Sequence, residues 1–250
     1  MQPRFSDKVV LVTGGNSGIG LASAQAFAAE GARVVITGRD TATLDRAAES
    51  VRGALAIRSD TAIVGEIDAL VSEIRAKLGR LDVLFVNAGV GAFLAIEKVT
   101  EEDWDQLMAV NLKGVFFTVQ KALALMSRGA SIVLNASIGG KRGMPTGAVY
   151  AASKAGVSAL GRNFAAELAT RGIRVNVVSP GPVETPIMNR TRGLTPAMLP
   201  ALRKQMVQNT PMQRIGAPSE VARAVLFLAS DEASFITGID MLVSGGAAAF

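Results

Sequence analysis

The sequence predicts a single α/β domain built on a doubly wound, seven-stranded parallel sheet with helices on both faces. Short runs of Val, Ile and Leu alternate with longer helical patterns, which is typical of repeated βα units. The 250 residues contain no repeat, low-complexity tract or linker, and α/β domains of about 250 residues are common. The composition, 49% hydrophobic and 19% charged, can fill one large core. We therefore expect residues 1–250 to fold as one unit.

The predicted strands are the short Val, Ile and Leu runs. In chain order they cover residues 9–13, 33–37, 54–58, 83–86, 131–135, 174–178 and 241–243. The helical patterns between them cover residues 18–30, 41–52, 62–78, 100–127, 147–171 and 218–230. Thr100 and Asp103 belong to a predicted capping box, and Pro218 opens the last helix. Helix ends favour glycine in a left-handed conformation, as expected at Gly31, Gly79 and Gly172.

One segment interrupts this alternation. Residues 180–211, between the sixth predicted strand and the last helix, are rich in proline, methionine and leucine. Insertions of this kind often cover a binding site, so we expect residues 184–211 to form a mobile lid. An ordinary surface excursion is the alternative.

The chain contains no histidine and no cysteine. This absence excludes a Ser-His-Asp triad, a thiolate nucleophile, a disulfide and a zinc site with imidazole or thiolate ligands. Any catalyst must therefore use Tyr, Lys, Asp, Glu, Ser or a cofactor, and we expect no metal site.

The charges and the apolar runs limit the partners that we expect. The 26 basic residues exceed the 21 acidic ones but are scattered, so no basic arm for nucleic acid is present. No apolar run approaches the roughly 18 residues of a membrane span. Residues 1–8 lead into a strand without the apolar region of a signal peptide. We expect a cytoplasmic protein with neither nucleic acid nor membrane as partner.

A glycine-rich turn directly follows the first predicted strand. Its glycines let the backbone approach a pyrophosphate closely, and the start of the next helix offers free N–H groups to the anion. A tight turn without a ligand is the alternative, but the first βα turn is where dinucleotides bind. The sequence therefore predicts a Rossmann fold with a nicotinamide dinucleotide site. The predicted cofactor-binding residues in this turn are Gly14, Asn16, Ser17, Gly18, Ile19 and Gly20.

The end of the second predicted strand bears on which dinucleotide binds. An acidic side chain there would hydrogen-bond the 2′-hydroxyl of NAD, whereas an arginine would bind the 2′-phosphate of NADP. Gly38 takes the first position past the strand, followed by Arg39 and Asp40. Arg39 favours NADP(H), and Asp40 keeps NAD(H) open.

Tyr150 is the only tyrosine in the chain, and Lys154 follows it by four residues on a helical pattern. This spacing places both side chains on one helix face, where the ammonium would lower the pKa of the phenol. Ser137 ends the fifth predicted strand, so its hydroxyl would emerge at the edge where α/β sheets bind ligands. Asn111 is a polar residue in an apolar helical segment, and a satisfied buried amide is its alternative role.

Together these motifs resemble those of the short-chain dehydrogenase/reductase family over essentially the whole chain. The residues that carry the resemblance are Thr13–Gly20, Asp60, Asn87-Ala88-Gly89, Asn111, Ser137, Tyr150, Lys154 and Pro180–Pro186. The resemblance implies an oxidoreductase that transfers a hydride between NADP(H) and a carbonyl compound or secondary alcohol. One departure concerns the cofactor, because neither Asn16 nor Ser17 is the basic residue that NADP-preferring relatives often carry.

The resemblance also implies roles for individual residues. Asp60 would contact the adenine, Lys154 would bind the nicotinamide ribose, and Asn111 would support a water that leads protons to Lys154. Val183 and Thr185 would hold the nicotinamide carboxamide. The cofactor-binding set expected outside the glycine turn is Arg39, Asp60, Asn87, Ala88, Gly89, Tyr150, Lys154, Pro180, Gly181, Val183 and Thr185.

The predicted catalytic residues fit this reaction. Ser137 and Tyr150 would hydrogen-bond the carbonyl oxygen, and Tyr150 would deliver its proton. The segments expected on the substrate side are mostly apolar and rich in methionine, so we expect a hydrophobic ketone or secondary alcohol as the small-molecule partner. The predicted substrate-binding residues are Phe93, Ile138, Met144, Met188 and Leu199.

Two other functions stay open. A 3-oxoacyl thioester on acyl carrier protein could be the substrate, with the acidic carrier meeting Lys121, Arg128 and Arg171. The second open function is that of a non-catalytic dinucleotide-sensing or scaffold protein. Such a protein would not need Asn111, Ser137, Tyr150 and Lys154 together. The resemblance further implies a homotetramer that associates through the helices at residues 100–127 and 147–171 and through the C-terminal strand.

Overall fold

The computed structural model describes residues 3–248, and its centre is one parallel sheet. The strands are β1 (Val9–Val12), β2 (Arg33–Gly38), β3 (Leu55–Arg58), β4 (Val83–Val86), β5 (Ser131–Asn135), β6 (Arg174–Pro180) and β7 (Asp240–Val243). They lie in the order β3-β2-β1-β4-β5-β6-β7, and each adjacent pair is parallel. The predicted fold class is confirmed, and β6 continues two residues beyond the predicted end.

The direction in which strands are added reverses between β1 and β4. The chain first builds β1, β2 and β3 outward, and β4 then pairs with the free side of β1, where Val10 lies opposite Val83. The carboxyl ends of β1 and β4 therefore border the crevice in which open α/β sheets bind ligands. Strand order alone thus places the candidate site.

The sheet is buried on both faces. Along β1, Val9 and Leu11 belong to the apolar cluster on one face, whereas Val10 and Val12 belong to the cluster on the other. A strand covered by helices on both sides needs apolar residues at every position, which explains the unbroken runs of the sequence.

Helices cover the two faces of the sheet. They are α1 (Gly18–Ala29), α2 (Thr41–Ser50), α3 (Val64–Leu78), α4 (Glu101–Met108), α5 (Gly114–Ala122), α6 (Ala148–Leu168), α7 (Ile187–Arg190), α8 (Leu199–Gln208) and α9 (Pro218–Ala229). Thr100 and Asp103 form the predicted capping box. The expected positive φ angles occur at Gly31, Gly79 and Gly172. Among residues 3–248, no helix is both long and apolar enough to cross a membrane.

The single helix predicted over residues 100–127 is wrong in detail. A π-helical turn at Ala109–Lys113 separates α4 from α5, and a 3₁₀ turn at Leu123–Leu125 ends the segment. Apolar spacing cannot reveal one extra residue in a turn, and such π turns are frequent at functional sites. This turn contains Asn111.

The predicted lid has more regular structure than the sequence indicated. Residues 184–211 contain α7, a 3₁₀ turn at Pro196–Met198 and α8. Pro196 and Pro200 stand in the first turns of the 3₁₀ turn and of α8, where proline is tolerated because no partner for its missing N–H is needed. The prolines thus begin helical turns instead of preventing them.

Candidate active site

The glycine turn between β1 and α1 is packed so tightly that side chains do not fit. Gly14 has φ +62° and Gly18 has φ +54°, and a β-carbon on Gly14 would lie 2.9 Å from the Ala88 Cα atom. A β-carbon on Gly20 would overlap the Gly14 carbonyl oxygen. The side chain of Ser17, the N-cap of α1, makes no capping hydrogen bond. The first N–H groups of α1 therefore face the crevice without a side-chain cap, as in sites for phosphate groups.

Three strand ends are joined by hydrogen bonds beside this turn. The Thr13 hydroxyl after β1 accepts hydrogen bonds from the Asn87 and Ala88 N–H groups after β4, at 2.9 and 3.1 Å. The Asn87 amide donates to the Thr13 and Gly14 carbonyls. Asn135, the last residue of β5, donates to Asn87 Oδ1 at 2.9 Å, and its own Oδ1 is buried and accepts no hydrogen bond within residues 3–248.

The glycine turn at residues 14–20 and the strand-end residues Thr13, Asn87 and Asn135 together form what we call the cradle. The segment after β6 reaches it as well. Pro180 ends β6, and a β-carbon on Gly181 would lie 2.8 Å from the Ser244 Cα atom. The Thr185 side chain is 3.1 Å from the position of a β-carbon on Gly18. Val183 forms a bridge with Gly216, which joins the two ends of the intervening segment. The predicted cofactor residues on either side of the crevice thus face one another.

The end of β2 shows how Arg39 and Asp40 are used. Asp40 is the N-cap of α2 and accepts a hydrogen bond from the Thr43 N–H at 2.8 Å. The pKa of its carboxyl is lowered, first by the Thr43 hydroxyl and then by this N–H. Arg39 is exposed. The Asn16 amide donates to the Thr43 hydroxyl at 2.9 Å and packs against Gly38, leaving no room for a β-carbon there. Farther along, at the end of β3, the Asp60 carboxylate accepts a hydrogen bond from the Ala62 N–H.

Ser137, Tyr150 and Lys154 lie together at the carboxyl ends of β4 and β5. A β-carbon on Gly139 would lie 3.4 Å from both Ser137 Oγ and Tyr150 Cε1. The Lys154 ammonium is 6.0 Å from the centre of the Tyr150 ring and donates to the Asn135 carbonyl at 2.8 Å. Helix α6 places Tyr150 and Lys154 on one face, as their spacing predicts.

Burial dominates the electrostatics of these residues. It lowers the pKa of the Lys154 ammonium to about 8, because the charged form loses water. Burial also raises the pKa of the Tyr150 phenol, and the hydrogen bond with Ser137 acts in the opposite direction. The sequence-based expectation that Lys154 lowers the Tyr150 pKa is wrong in direction, because desolvation of the phenolate is the largest effect.

Asn111 is fully buried and holds the loop after β4. Its Oδ1 accepts a hydrogen bond from the Val90 N–H, and its amide donates to the Val90 carbonyl, both at 2.9 Å. The same amide donates to Ser153 Oγ, and the Ser153 hydroxyl donates to the Tyr150 carbonyl. Asn111 Oδ1 and Lys154 Nζ are each 3.4 Å from the position of a β-carbon on Gly89. The π turn thus links this loop to the helix that carries Tyr150.

The structure brings some of the predicted substrate residues to Tyr150. The Phe93 and Tyr150 rings have centroids 5.8 Å apart, and the Met144 methyl lies 3.3 Å from the β-carbon position on Gly139. Ile138 is buried in the turn after Ser137. Met188 is buried in α7, whereas Leu199 is half-buried at the start of α8.

Two basic residues near the site form ion pairs within the chain. Lys141 forms an ion pair with Asp240 at 2.6 Å, and Arg192 pairs with Asp103. The residues considered for an acyl carrier surface lie elsewhere. Arg128 and Arg171 precede β5 and β6, and therefore lie at the sheet edge opposite the site, while Lys121 pairs with Asp68.

A family model described as "Enoyl-(Acyl carrier protein) reductase" matches residues 14–248. The 3-oxoacyl-(acyl-carrier-protein) reductase of Thermotoga maritima is 40% identical, over 97% of this chain and 98% of that protein. The NADP-dependent (R)-specific alcohol dehydrogenase of Lentilactobacillus kefiri is 37% identical over 98% of both chains. A levodione reductase crystal structure has a TM-score of 0.93 at 35% identity, over 98% of this chain and 99% of that one. The chain belongs to the short-chain dehydrogenase/reductase family.

Sequence reasoning assigned no role to three polar residues of this short-chain dehydrogenase/reductase site. Thr13, Asn135 and Ser153 each hydrogen-bond a predicted site residue. Thr13 and Asn135 end or follow buried strands, so a polar residue at the carboxyl end of a parallel strand was the available signal. Ser153 carried no signal of its own, because a serine between Tyr150 and Lys154 is equally compatible with an ordinary helix.

Proposed function

We propose that this short-chain dehydrogenase/reductase reduces hydrophobic ketones to secondary alcohols with NADP(H), using Tyr150 as the proton donor. The convergence of Ser137, Tyr150 and Lys154 beside the glycine cradle carries the proposal. Phe93 and Met144 make the adjoining surface apolar. A relative named an NADP-dependent alcohol dehydrogenase and a structural neighbour named a levodione reductase support this substrate class.

Each catalytic residue has a distinct role. The Ser137 and Tyr150 hydroxyls hydrogen-bond the carbonyl oxygen, and Tyr150 transfers its proton to that oxygen as negative charge develops there. Lys154, with a pKa of about 8, returns a proton towards Tyr150 near neutral pH. Asn111 keeps the loop after β4 in place through Val90 and supports a water on the path to Lys154.

The residues of the crevice fit a nicotinamide dinucleotide, which supplies the hydride when bound. The start of α1, which has no side-chain cap, offers its N–H groups to a pyrophosphate, and the buried Oδ1 of Asn135 can accept a hydrogen bond from a ligand donor. Exposed Arg39 pairs with a 2′-phosphate, whereas the Asp40 carboxylate is occupied in capping α2. The remaining contacts come from Asn16, Ser17, Ile19, Asp60, Asn87, Ala88, Gly89, Pro180, Gly181, Val183 and Thr185.

Initial rates with matched NADPH and NADH series test the proposal. We expect aryl alkyl ketones to be reduced faster than polar sugars, and NADPH to give the larger kcat/KM. Faster turnover of sugars would overturn the substrate class, and a preference for NADH would overturn the cofactor choice. Arg39→Ala should remove the preference for NADPH without affecting NADH.

Reduction of a 3-oxoacyl thioester is the second candidate, because a 3-oxoacyl-(acyl-carrier-protein) reductase is 40% identical. The basic residues first considered for the carrier lie at the wrong edge of the sheet, so the thioester itself is the relevant probe. An acetoacetyl thioester reduced with higher kcat/KM than every simple ketone would favour this function. A crotonyl thioester in the same panel tests the enoyl reduction that the family description names.

The proposed assembly is a homotetramer, because the subunit exposes two separate apolar faces. One contains Trp104 and Phe116 beside an open depression of ≈ 690 Å³ lined by residues of α4, α5 and α6. The other contains Phe235, Ile239 and Leu242 around β7. Two independent self-complementary faces are what a tetramer with perpendicular two-fold axes requires. Light scattering during gel filtration checks the mass, and Phe116→Glu should reduce tetramers to dimers.

A further inference from the structure

A charged cluster next to the catalytic serine has no role in the reaction described above. Asp240, the first residue of β7, accepts a hydrogen bond from Ser179 at 2.6 Å on Oδ1. Its Oδ2 accepts from Ser158 at 2.7 Å and pairs with the Lys141 ammonium at 2.6 Å. These four residues are the Asp240 cluster, and they come from β7, β6, α6 and the loop after β5.

The carboxylate is the buried centre of this cluster. The Asp240 side chain is 11% exposed, and the Lys141 side chain is 32% exposed. A buried charge is costly unless it is paired and hydrogen-bonded, so the geometry of a cluster that satisfies it is strongly favoured. The Asp240 cluster therefore fixes the position of Lys141 against β6 and α6.

Lys141 directly follows the short turn that orients Ser137. The Gly139 N–H donates to Ser137 Oγ at 3.0 Å, and the Lys141 N–H donates to the Ile138 carbonyl at 3.0 Å. At Gly140 the turn presses on α6, because a β-carbon there would lie 2.6 Å from the Ala155 nitrogen. The turn is thus held by Ser137 at one end, by α6 in the middle and by the ion pair at the other end.

We propose that the Lys141–Asp240 pair is a positioning device that holds Ser137 in hydrogen-bonding distance of Tyr150. The inference rests on the proposed function for its kinetic consequence, but not for its structural one. Neither side chain contacts the predicted reacting atoms, so the pair acts only through the turn at residues 138–140. Loss of the pair displaces Ser137, and a displacement of about 1 Å can lower turnover by as much as about 100-fold.

The kinetic test compares Lys141→Met and Lys141→Arg with wild type. We expect kcat for a ketone to fall roughly tenfold or more in Lys141→Met, with the Kd of NADPH unchanged, and to recover in Lys141→Arg because the ion pair is restored. The matched control is Lys121→Met, which breaks the Lys121–Asp68 pair on α5 and α3 and should leave kcat unchanged. Equal losses in both methionine variants would overturn the proposal.

A double-mutant cycle separates positioning from general destabilisation. If Lys141 acts through Ser137, Lys141→Met should cost less than about twofold in kcat when Ser137→Ala is already present. An undiminished loss in that background would show that the lysine acts by another route.

A readout without substrate keeps the inference independent of the proposed function. Tyr150 is the only tyrosine, so the near-ultraviolet absorbance of its phenolate reports its ionisation alone. The groups that face Tyr150 are Lys154 on its own helix and Ser137 from the loop after β5. Losing the Ser137 hydrogen bond should raise the titration midpoint in Lys141→Met as it does in Ser137→Ala. A wild-type midpoint in Lys141→Met, with a raised one in Ser137→Ala, would refute positioning even if no ketone were reduced.

Discussion

The glycine cradle and the segment predicted as a lid, residues 184–211, are held by different kinds of interaction. In the cradle, buried Thr13 and partly buried Asn87 join β1 to β4 through uncharged hydrogen bonds. Across the lid, Arg203 pairs with Glu184 and Arg192 with Asp103, and the arginine side chains are 44% and 56% exposed. Uncharged buried contacts are insensitive to salt, whereas exposed ion pairs are screened by it. We therefore expect salt to weaken the contacts of residues 184–211 and to leave those of the cradle unchanged.

The backbone shows the same difference. The glycines of the cradle leave no space for a β-carbon, so its shape has little freedom. The lid is joined to the loop after β4 by hydrogen bonds from the Phe93 N–H to the Arg192 carbonyl and from the Arg192 N–H to the Gly91 carbonyl. The first of these bonds involves Phe93, whose ring lies beside Tyr150. We therefore expect movement of residues 187–211 to reach the substrate side through Phe93.

The largest effect is expected at Tyr150, the proposed proton donor, which lies between the two regions. Tyr150→Phe removes the hydroxyl proposed to deliver the proton but keeps the ring that packs against Phe93, so kcat should fall by about 10²–10⁴-fold. NADPH affinity, measured by fluorescence quenching, should change little. Substantial remaining turnover would contradict the assignment of Tyr150.

Gly20→Ala is the direct way to break the cradle. Its β-carbon would overlap the Gly14 carbonyl and lie 2.5 Å from the Asn87 amide nitrogen, so we expect a loss of about 1–3 kcal/mol in unfolding free energy. NADPH binding should weaken as the turn shifts. The control is Gly65→Ala at the start of α3, where among residues 3–248 the added β-carbon would meet nothing within 4 Å beyond its own helix backbone and chain neighbours, so stability should be unchanged or higher. Denaturant titration and cofactor binding measure both effects.

The pH dependence tests the acid–base pair. Lys154 has a pKa lowered to about 8, so its protonated form is lost as pH rises through that value. The kcat/KM of ketone reduction should then fall by up to about tenfold per pH unit above pH 8, and alcohol oxidation should rise over the same range. Flat profiles between pH 7 and about pH 9 would contradict a role for Lys154 in proton transfer.

The same shift has a consequence for stability. An unfolded lysine titrates near pKa 10.5, so between pH 8 and that value the unfolded chain binds more protons than the native one. The contribution of Lys154 to stability therefore rises with pH in this window and is smallest below pH 8. Lys154→Met should abolish that rise, as urea unfolding at both ends of the window can show.

The smallest effects are expected in the lid. Arg192→Ala removes the partner of the nearly buried Asp103, but the arginine side chain is half exposed. We therefore expect a loss of about 1 kcal/mol in ketone binding free energy, which corresponds to a roughly fivefold rise in ketone KM. Arg203→Ala breaks a pair in which both side chains are exposed and should change KM by less than about twofold. High salt should reproduce part of the Arg192 effect in wild type. A larger effect at Arg203 than at Arg192 would reverse this ranking of the two lid contacts.

The sequence predicted the seven strands because a doubly covered parallel sheet requires unbroken apolar runs. The prediction was wrong in two places. In the helix predicted over residues 100–127 a π turn adds one residue, and in residues 184–211 prolines start helical turns. The π turn around Asn111 and the helices of the lid leave the apolar spacing almost unaltered, so periodicity could not reveal them. It also gave the Tyr150 pKa the wrong direction, since the depth of burial depends on residues distant in the chain.

The sequence by itself determined the fold class, the position of the glycine turn and the identity of the only tyrosine. These depend on local patterns, on spacing within one helix and on residue counts. Only the tertiary structure decided that Asn135 joins Asn87 to Lys154, that Asp40 caps a helix and that Asp240 meets Lys141. Asp240 and Lys141 lie far apart in the chain, and strand order alone brings β7 beside β6 and the loop after β5.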